Sequence, residues 1–206
     1  SQNNIKIVSL ADLYDITDLI FLSLEFDRLI KPELFSTDYI FNIHFSLLPK
    51  YKGMYTSVMP ILNNEKFTGV TLHKIDRGID TGDIIDQVII QINPNDNARD
   101  LYHKYIDEGI CLIIKNLECL VYGKYKSKVQ SYNESSYYSK SSLNFSTINI
   151  DLNQTAINIH NHIRAFNFRE YQTPIVNNEL IISSKILSKK SILKSGVVVC
   201  SDEKSI

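Results

Sequence analysis

An asparagine and a histidine stand two positions apart in the apolar stretch FNIHFSLLPKYKG, residues 41–53. Side chains two apart on a strand point to the same face, so Asn42 and His44 are expected to project together. A neutral imidazole can accept a proton near pH 7, and a fixed carboxamide can donate to an oxygen that gains negative charge. The pair predicts acid–base chemistry at the end of a strand. Taken alone, His44 also fits a buried structural histidine.

A carboxylate that orients the imidazole and balances its charge would complete this set. Asp80, in the turn RGIDTGDI, is the candidate. An Asn–His–carboxylate set without a Ser or Cys nucleophile suits direct acyl transfer to an amine. The imidazole would take the amine proton, while the amide and the imidazolium would stabilise the tetrahedral oxyanion.

Strands alternating with helices must position these groups. Apolar runs predict strands at 3–10, 18–24, 38–45, 67–76 and 84–92, and helices at 54–64, 98–121 and 153–166. The long helix should face a sheet through Leu101, Tyr105, Ile110, Ile113, Ile114, Leu117 and Leu120. Short strands are expected in the tail, at TPIV, ELIISSKIL and GVVVC. This order favours an α/β sheet that binds ligands beyond the carboxyl ends of its strands.

Length and composition bound the remaining possibilities. The 206 residues suggest one domain with a small appendage, and we divide the chain into a catalytic core at 1–125 and, at 126–206, a linker, a helix and a small β unit. The net charge of −1 provides no broad basic surface for nucleic acid. No apolar run could span a bilayer and no secretory leader is recognised. Three cysteines without CxxC spacing argue against a disulfide framework or a zinc site, so we expect a cytoplasmic protein.

The other histidines give weaker signals. His160 and His162 lie two apart on a predicted helix and so point to different faces, which disfavours a shared metal. His73 lies in a predicted strand and has no obvious partner in the sequence.

Three linked motifs carry a resemblance to a known family. FNIHFSLLPKYKG, TGVTLHKID and GIDTGDII occur in the order typical of the N10-formyltetrahydrofolate-dependent formyltransferases. The chain resembles that family from about residue 18 to residue 92, with a weaker match at IRAFNFREYQTP. The resemblance implies a Rossmann-like core with a mainly parallel sheet. The family pattern begins with a β-α-β unit ahead of the strand at 18–24. Only residues 1–17 precede that strand in this sequence, so we expect the front unit to be missing.

The resemblance assigns roles to specific positions. It implies that Asn42, His44 and Asp80 are the catalytic triad. It implies that the folate co-substrate is held by Glu25, Phe26, Asp27, Arg28, Leu29, Ile30, Thr81, Gly82 and Asp83. The chemistry requires no metal.

Within the family, HFSLLPKYKGMYTS is similar to the enzymes that formylate dTDP-linked amino sugars. We expect dTDP-4-amino-4,6-dideoxyglucose as the first choice of acceptor, for surface polysaccharide such as O-antigen, and a homodimer formed through the terminal strands. Arginine and lysine suit a diphosphate, and flat aromatic rings suit thymine. The candidate substrate contacts are Ser46, Lys50, Lys52, Tyr55, Arg164, Phe166, Arg169 and Tyr171.

Two alternatives stay open. The acceptor could be methionyl-tRNA or glycinamide ribonucleotide, although the charge balance disfavours tRNA. The chain could also be a catalytically inactive folate- or nucleotide-binding module.

Overall fold

The structure is a computed structural model that describes residues 5–145, 148–168, 170, 172–176, 179–188, 192, 193 and 197. The chain divides into two compact units. The first unit comprises Ser1–Thr56, Phe67–Gln91 and Lys104–Ser139, and the second comprises Ser57–Lys66, Ile92–His103 and Lys140–Ile206. The units interleave along the sequence, and the predicted division at residue 125 stays a prediction.

A four-stranded sheet forms the centre of the first unit. Its strands are β1 (Phe21–Leu24), β2 (Ile40–His44), β4 (Phe67–Lys74) and β5 (Ile84–Gln91), in the order β1-β2-β4-β5. The short strand β3 (Lys52–Gly53) lies outside this sheet. The β1–β2 pair is parallel and the other two pairs are antiparallel. The connection 75–83 is too short for a crossover, so β5 returns antiparallel to β4. The α/β class is confirmed, and the described sheet is mixed.

Helix α2 (Ala98–Val121) confirms the predicted span, but the predicted apolar face is partly wrong. Tyr105, Leu112 and Leu120 are buried, whereas Ile110, Ile113, Ile114 and Leu117 are exposed or only half-buried. A side chain at Gly109 would contact Ile43, Phe45 and Val70, so the helix approaches the sheet closely at this glycine. The packing face therefore passes through a residue that carries no hydrophobic signal.

A second pairing fixes the loop after β2. Strand β3 pairs in parallel with β6 (Tyr137–Tyr138), in a region predicted to be an irregular connection. Gly53 has φ +81°, and a Cβ there would collide with the Tyr138 carbonyl oxygen. Only glycine fits this position without strain.

The second unit contains short elements. They are α1 (Met59–Leu62), α3 (Ala156–Ala165), β7 (Ile175–Val176) and β8 (Glu179–Leu180). The predicted helix at 153–166 is confirmed, and its first turn is capped by Thr155, whose hydroxyl accepts from the Asn158 N–H. The β7–β8 pair is antiparallel, and both strands are shorter than predicted.

Two predictions near the starts of elements are wrong: one helix begins later than predicted, and the strand predicted at 3–10 does not form in its described part. The helix predicted at 54–64 begins only at Met59, because Tyr55 has a left-handed φ of +64° and Pro60 occupies the first turn. Residues 5–9 form no strand and precede a 3₁₀ helix at Leu10–Leu13, whose capping box joins Ser9 and Asp12. Of the strand predicted at GVVVC, only Val197 lies within the described residues. Among the described helices, none has the length and apolar character that crossing a membrane requires.

Candidate active site

A crevice of about 490 Å³ opens in the first unit beyond the carboxyl ends of β1 and β2. The three predicted catalytic residues, Asn42, His44 and Asp80, all line it. So does the predicted folate loop, whose lining residues are Glu25, Phe26, Asp27, Arg28, Leu29 and Ile30. The structure therefore brings together two groups of residues that the sequence had placed at neighbouring strand ends.

His44 is buried at the end of β2, and its two ring nitrogens have different surroundings. Nε2 lies 2.8 Å from the Tyr51 carbonyl oxygen, which can only accept, so Nε2 carries the hydrogen. Nδ1 of the neutral ring then carries the lone pair and lies 3.4 Å from Asp80 Oδ2. No described residue donates a hydrogen bond to Nδ1. The basic nitrogen is therefore held on the carboxylate side of the ring.

Three neighbours contact the Asp80 carboxylate, and two of them donate hydrogen bonds to it. Its Oδ2 accepts from the Gly53 N–H at 2.8 Å, and its Oδ1 accepts from Asn42 Nδ2 at 3.4 Å. His73 Nε2 lies 3.5 Å from the same Oδ1. Burial alone would raise the pKa of this carboxyl group, but His44, His73 and the Gly53 N–H outweigh burial and lower it to about 2. The carboxylate is ionised at neutral pH.

Burial is the main influence on His44 and lowers the pKa of its imidazole. The Asp80 charge and the Tyr51 carbonyl oppose burial, whereas His73 and Lys52 act with it. At neutral pH the site thus pairs a neutral imidazole with an ionised carboxylate. This is the resting state required of a general base whose protonated form is stabilised by its neighbour.

His73 is a member of the site that the sequence reading missed. It lies directly opposite Asn42 in the β2–β4 pairing and is 2% exposed. Its Nδ1 donates to the Lys74 carbonyl oxygen at 2.7 Å, which leaves Nε2 free to accept from Asn42 Nδ2 at 3.2 Å. The expectation that His73 has no partner was wrong, since the partner is across the strand rather than along the chain. The alternation in TGVTLHKID places His73 and Thr71 on one face, but only the register matches His73 to Asn42.

Three residues predicted to bind folate hold the Asp80 turn together. Thr81 Oγ1 donates to Asp76 Oδ1 at 2.6 Å, and Asp83 Oδ2 accepts from Ser127 Oγ at 3.1 Å. Gly82 approaches the Lys74 carbonyl too closely for any side chain. None of these three lines the crevice, so their direct contact with folate stays a prediction.

The predicted substrate contacts fall in different places. Tyr55 lines the crevice. Ser46 is fully buried and its hydroxyl donates to the Lys50 carbonyl at 2.7 Å, so the structure places it inside the loop rather than in the crevice. Lys52 is buried in β3, whereas Lys50 is exposed.

The remaining predicted contacts belong to the second unit. Arg164 is buried there, and its guanidinium donates to the carbonyl oxygens of Asn93 and Asp96. Phe166 packs against His162 with ring centroids 4.9 Å apart. Arg169 and Tyr171 lie outside the described residues.

No metal-binding arrangement of three or more His, Cys, Asp or Glu side chains occurs within the described residues. The charged and polar groups of the crevice can instead move a proton and stabilise an oxyanion without a metal.

The chain is similar to known formyl transferases over more than half of its length. The sequence profile described as "Formyl transferase" matches residues 10–117, more than half of the chain. A methionyl-tRNA formyltransferase from Clostridioides difficile is 32% identical over 163 residues, which are 77% of this chain and 51% of that protein. The chain thus spans about half the length of this curated relative.

Two solved structures are more similar. An N-formyltransferase from Helicobacter canadensis, in complex with folinic acid and dTDP-3-aminofucose, superposes with a TM-score of 0.88 at 49% identity, over 91% of this chain and 69% of that one. WlaRD, a sugar 3N-formyltransferase crystallised in the presence of dTDP and 5-N-formyl-tetrahydrofolate, gives a TM-score of 0.88 at 52% identity, over 91% and 68%.

Proposed function

We propose a reaction for this chain on one premise: the chain belongs to the formyl transferase family. The reaction is transfer of a formyl group from N10-formyltetrahydrofolate to the amine of a dTDP-linked amino-dideoxy sugar. The observation that carries the proposal is that Asn42, His44 and Asp80 line one crevice, with Asn42 Nδ2 and His44 Nδ1 each 3.4 Å from an oxygen of the Asp80 carboxylate.

The residues of this site divide the chemistry among themselves. His44 Nδ1 takes the proton of the attacking amine, and the resulting imidazolium lies against the Asp80 carboxylate. Asn42 Nδ2 donates to the oxyanion as the formyl carbon becomes tetrahedral. The intermediate then collapses: the bond between the formyl carbon and the folate N10 breaks, N10 takes the proton held by His44, and tetrahydrofolate leaves with the imidazole neutral again. One of its hydrogens must turn toward the substrate, and the 3.4 Å bond to Asp80 is the longer of its two bonds.

The crevice fits a folate head group. N10-formyltetrahydrofolate supplies the formyl carbon in this chemistry. The crevice volume lies in the range usual for small-molecule sites, and Phe26, Leu29 and Ile30 give it an apolar wall. Glu25, with φ +46°, begins the loop that would present backbone groups to a heterocycle.

The related structures favour a particular acceptor. Sequence reasoning put a 4-amino sugar first. The two solved relatives at 49% and 52% identity are a complex with dTDP-3-aminofucose and a sugar 3N-formyltransferase. We therefore place a dTDP-3-amino-3,6-dideoxyhexose ahead of the 4-amino sugar for this chain.

The rival readings have less support. A tRNA acceptor matches the curated relative at 32% identity, but the net charge of −1 does not suit RNA. An inactive binding module would have no need of a histidine and a carboxamide that both reach one carboxylate.

The cellular setting extends the proposal. We expect the reaction in the cytoplasm, where it would supply a formylated sugar for surface polysaccharide.

The segment around β8 supports a homodimer. Its apolar side chains are between 66% and 70% exposed at Leu180, Ile182 and Leu187, which favours pairing of this segment with a second copy. Sedimentation of the chain and of a Leu180→Glu variant would test the dimer, since a charge at that position should yield monomer.

The function is tested by an acceptor panel. The chain is incubated with N10-formyltetrahydrofolate and, separately, with dTDP-3-amino and dTDP-4-amino dideoxyhexoses, glycinamide ribonucleotide and charged initiator tRNA. Mass spectrometry should show a gain of one CO on the 3-amino sugar first. Transfer to tRNA alone would support the rival, and folate binding without transfer to any amine would support the inactive module.

A further inference from the structure

A glutamine in the segment after α2 holds the turn that carries Asp80. Gln130 is 7% exposed, and its side-chain nitrogen donates to two carbonyl oxygens, that of Asp80 at 2.9 Å and that of Gly82 at 2.7 Å. Gln130 is not among the residues that line the crevice. Any effect it has on the reaction must therefore pass through the turn.

The orientation of this amide is fixed by its surroundings. Gln130 Oε1 is buried, and it is without a hydrogen-bond donor among the described residues. If the two ends of the amide were exchanged, Oε1 would point at the carbonyl oxygens of Asp80 and Gly82. All three oxygens are acceptors, so neither hydrogen bond could form. A buried acceptor without a partner costs free energy, so the two bonds to the turn are made at the expense of the other end.

The turn requires such support because its backbone is strained. Asp80 has φ +53°, in the left-handed region that residues with a Cβ rarely occupy. Residues held there persist where the surrounding structure over-determines them. The carboxylate of Asp80 reaches His44 Nδ1 and the Gly53 N–H from this conformation.

Neighbouring contacts align the segment with the turn. Ile84 and Lys128 exchange two backbone hydrogen bonds of 2.8 Å each. The Ser127 hydroxyl donates to Asp83 Oδ2. Residues 127–130 thus run along residues 80–84, and Gln130 stands at the end nearest Asp80.

We propose that Gln130 is a positioning residue, whose amide keeps the backbone of Asp80 in the conformation that presents its carboxylate to His44. The kinetic part of this proposal rests on the proposed formyl transfer. Without the amide, the turn relaxes and His44 loses the negative charge that favours its protonated form. His73 and Lys52, the other ionisable groups facing His44, both disfavour that form and remain in place.

The test compares Gln130→Met with a matched control. Methionine keeps the length of the side chain and removes both hydrogen bonds. Asn116 is the control, because its amide also donates to two acceptors, Asp86 Oδ2 at 2.8 Å and the Leu112 carbonyl at 2.9 Å, away from the crevice. Asn116→Leu removes these two bonds without touching the turn.

We expect Gln130→Met to lower kcat by about 10- to 100-fold, the cost of misplacing a catalytic group by roughly 1 Å, with KM for both substrates nearly unchanged. NMR titration should show the pKa of His44 falling below its value in the unaltered chain. Asn116→Leu should lower the unfolding free energy and leave kcat and the His44 titration unchanged.

A second substitution covers a failure of Gln130→Met to fold. Gln130→Glu keeps the size of the side chain but turns an oxygen toward the two carbonyl groups. Protonation restores one donor, so the kcat of this variant relative to the unaltered chain should rise as the pH falls.

Three results would overturn the proposal. They are unchanged kcat and His44 titration in the Gln130 variant that folds, changes equal to those of Asn116→Leu, and a loss confined to KM. If the unaltered chain formylates no amine, the proposed function fails. The His44 titration in Gln130→Met still decides the positioning role in that case.

Discussion

Each unit of this protein buries a histidine in a polar setting, and the two settings differ in what they leave unsatisfied. In the second unit, His160 Nε2 donates to the Pro94 carbonyl at 2.9 Å and Nδ1 accepts from the Ser184 hydroxyl at 2.8 Å. In the first unit, His44 Nε2 is bonded in the same manner, but Nδ1 faces the Asp80 carboxylate, and His44 lines the crevice. Both ring nitrogens of His160 are thus hydrogen-bonded, whereas Nδ1 of His44 receives no hydrogen bond from a described residue.

The comparison extends to the groups around each histidine. Arg164 in the second unit donates to two carbonyl oxygens and to Asn161 Oδ1. Asn161 in turn donates to Asn64. Each of these donors reaches an acceptor within the second unit, which is the pattern of a structural network. Burial of a polar residue is therefore a poor guide to catalysis here, and an unpaired basic atom beside a carboxylate is a better one.

Replacing the two histidines should break the comparison most clearly. We expect His44→Ala to lower kcat by about 10²- to 10⁴-fold, since it removes the general base.

Replacing the carboxamide should have a slightly smaller effect. Asn42→Ala should lower kcat by about 10²- to 10³-fold, the usual effect of losing one oxyanion donor. Folate binding should be largely retained in both. Single-turnover formyl transfer and folate titration measure these effects.

The matched control is His160→Ala, which should keep a native rate and lose thermal stability. A native rate in His44→Ala, or a rate loss in His160→Ala as large as that in His44→Ala, would remove the distinction between the two sites.

Neutralising the carboxylate tests what separates the histidines. Asp80→Asn should lower kcat by about 10²-fold or more, because a carboxylate that supports a catalytic imidazole is lost. Asp86→Asn is the control, since Asp86 is a partly buried carboxylate that contacts Lys115 and Asn116 instead. Equal losses in the two variants would mean that Asp80 acts only through stability.

The second network should respond in stability rather than rate. Arg164→Met removes a buried donor from the carbonyl oxygens of Asn93 and Asp96, so we expect the unfolding free energy to fall by about 1–3 kcal/mol. Urea unfolding measures this change. An unchanged unfolding free energy with a raised KM for the nucleotide sugar would instead support the predicted substrate role of Arg164.

The smallest effect concerns proton affinity. Burial lowers the pKa of His44 and of His162, so both should titrate below 6.5 in a two-dimensional NMR spectrum of the imidazole groups. Asp80→Asn should lower the pKa of His44 further and leave that of His162 unmoved, because His44 lies beside this carboxylate and no described contact joins it to His162. A rise at His44, or equal shifts at both, would contradict this arrangement.

The same shifts set the direction of the pH dependence of stability. Below pH 6.5 the unfolded chain binds more protons than the folded chain, so stability should decline as the pH falls from 6.5. Urea unfolding at pH 7.5 and 5.5 checks the sign.

The sequence foretold the parts of this site that lie on periodic elements. Alternation along 40–44 put Asn42 and His44 on one face, and the DTG turn supplied Asp80. The sequence of neither strand alone determines the register between β2 and β4, so the contact of His73 with Asn42 was missed. Gln130 was missed because it acts from an irregular segment through two backbone oxygens. The buried face of α2 was misjudged because Gly109, a residue without a side chain, marks its closest approach to the sheet.

Two of the atoms that aim the triad are peptide atoms, the Tyr51 oxygen bonded to His44 and the Gly53 nitrogen bonded to Asp80. Both residues have left-handed backbones, at φ +60° and +81°. Transplanting only the three catalytic side chains into a foreign scaffold would therefore leave the imidazole and the carboxylate without the backbone hydrogen bonds that orient them. A transplanted site must therefore also include the backbone of residues 51–53, in its left-handed conformation, and strand β6, which pairs with β3 and holds this backbone in place.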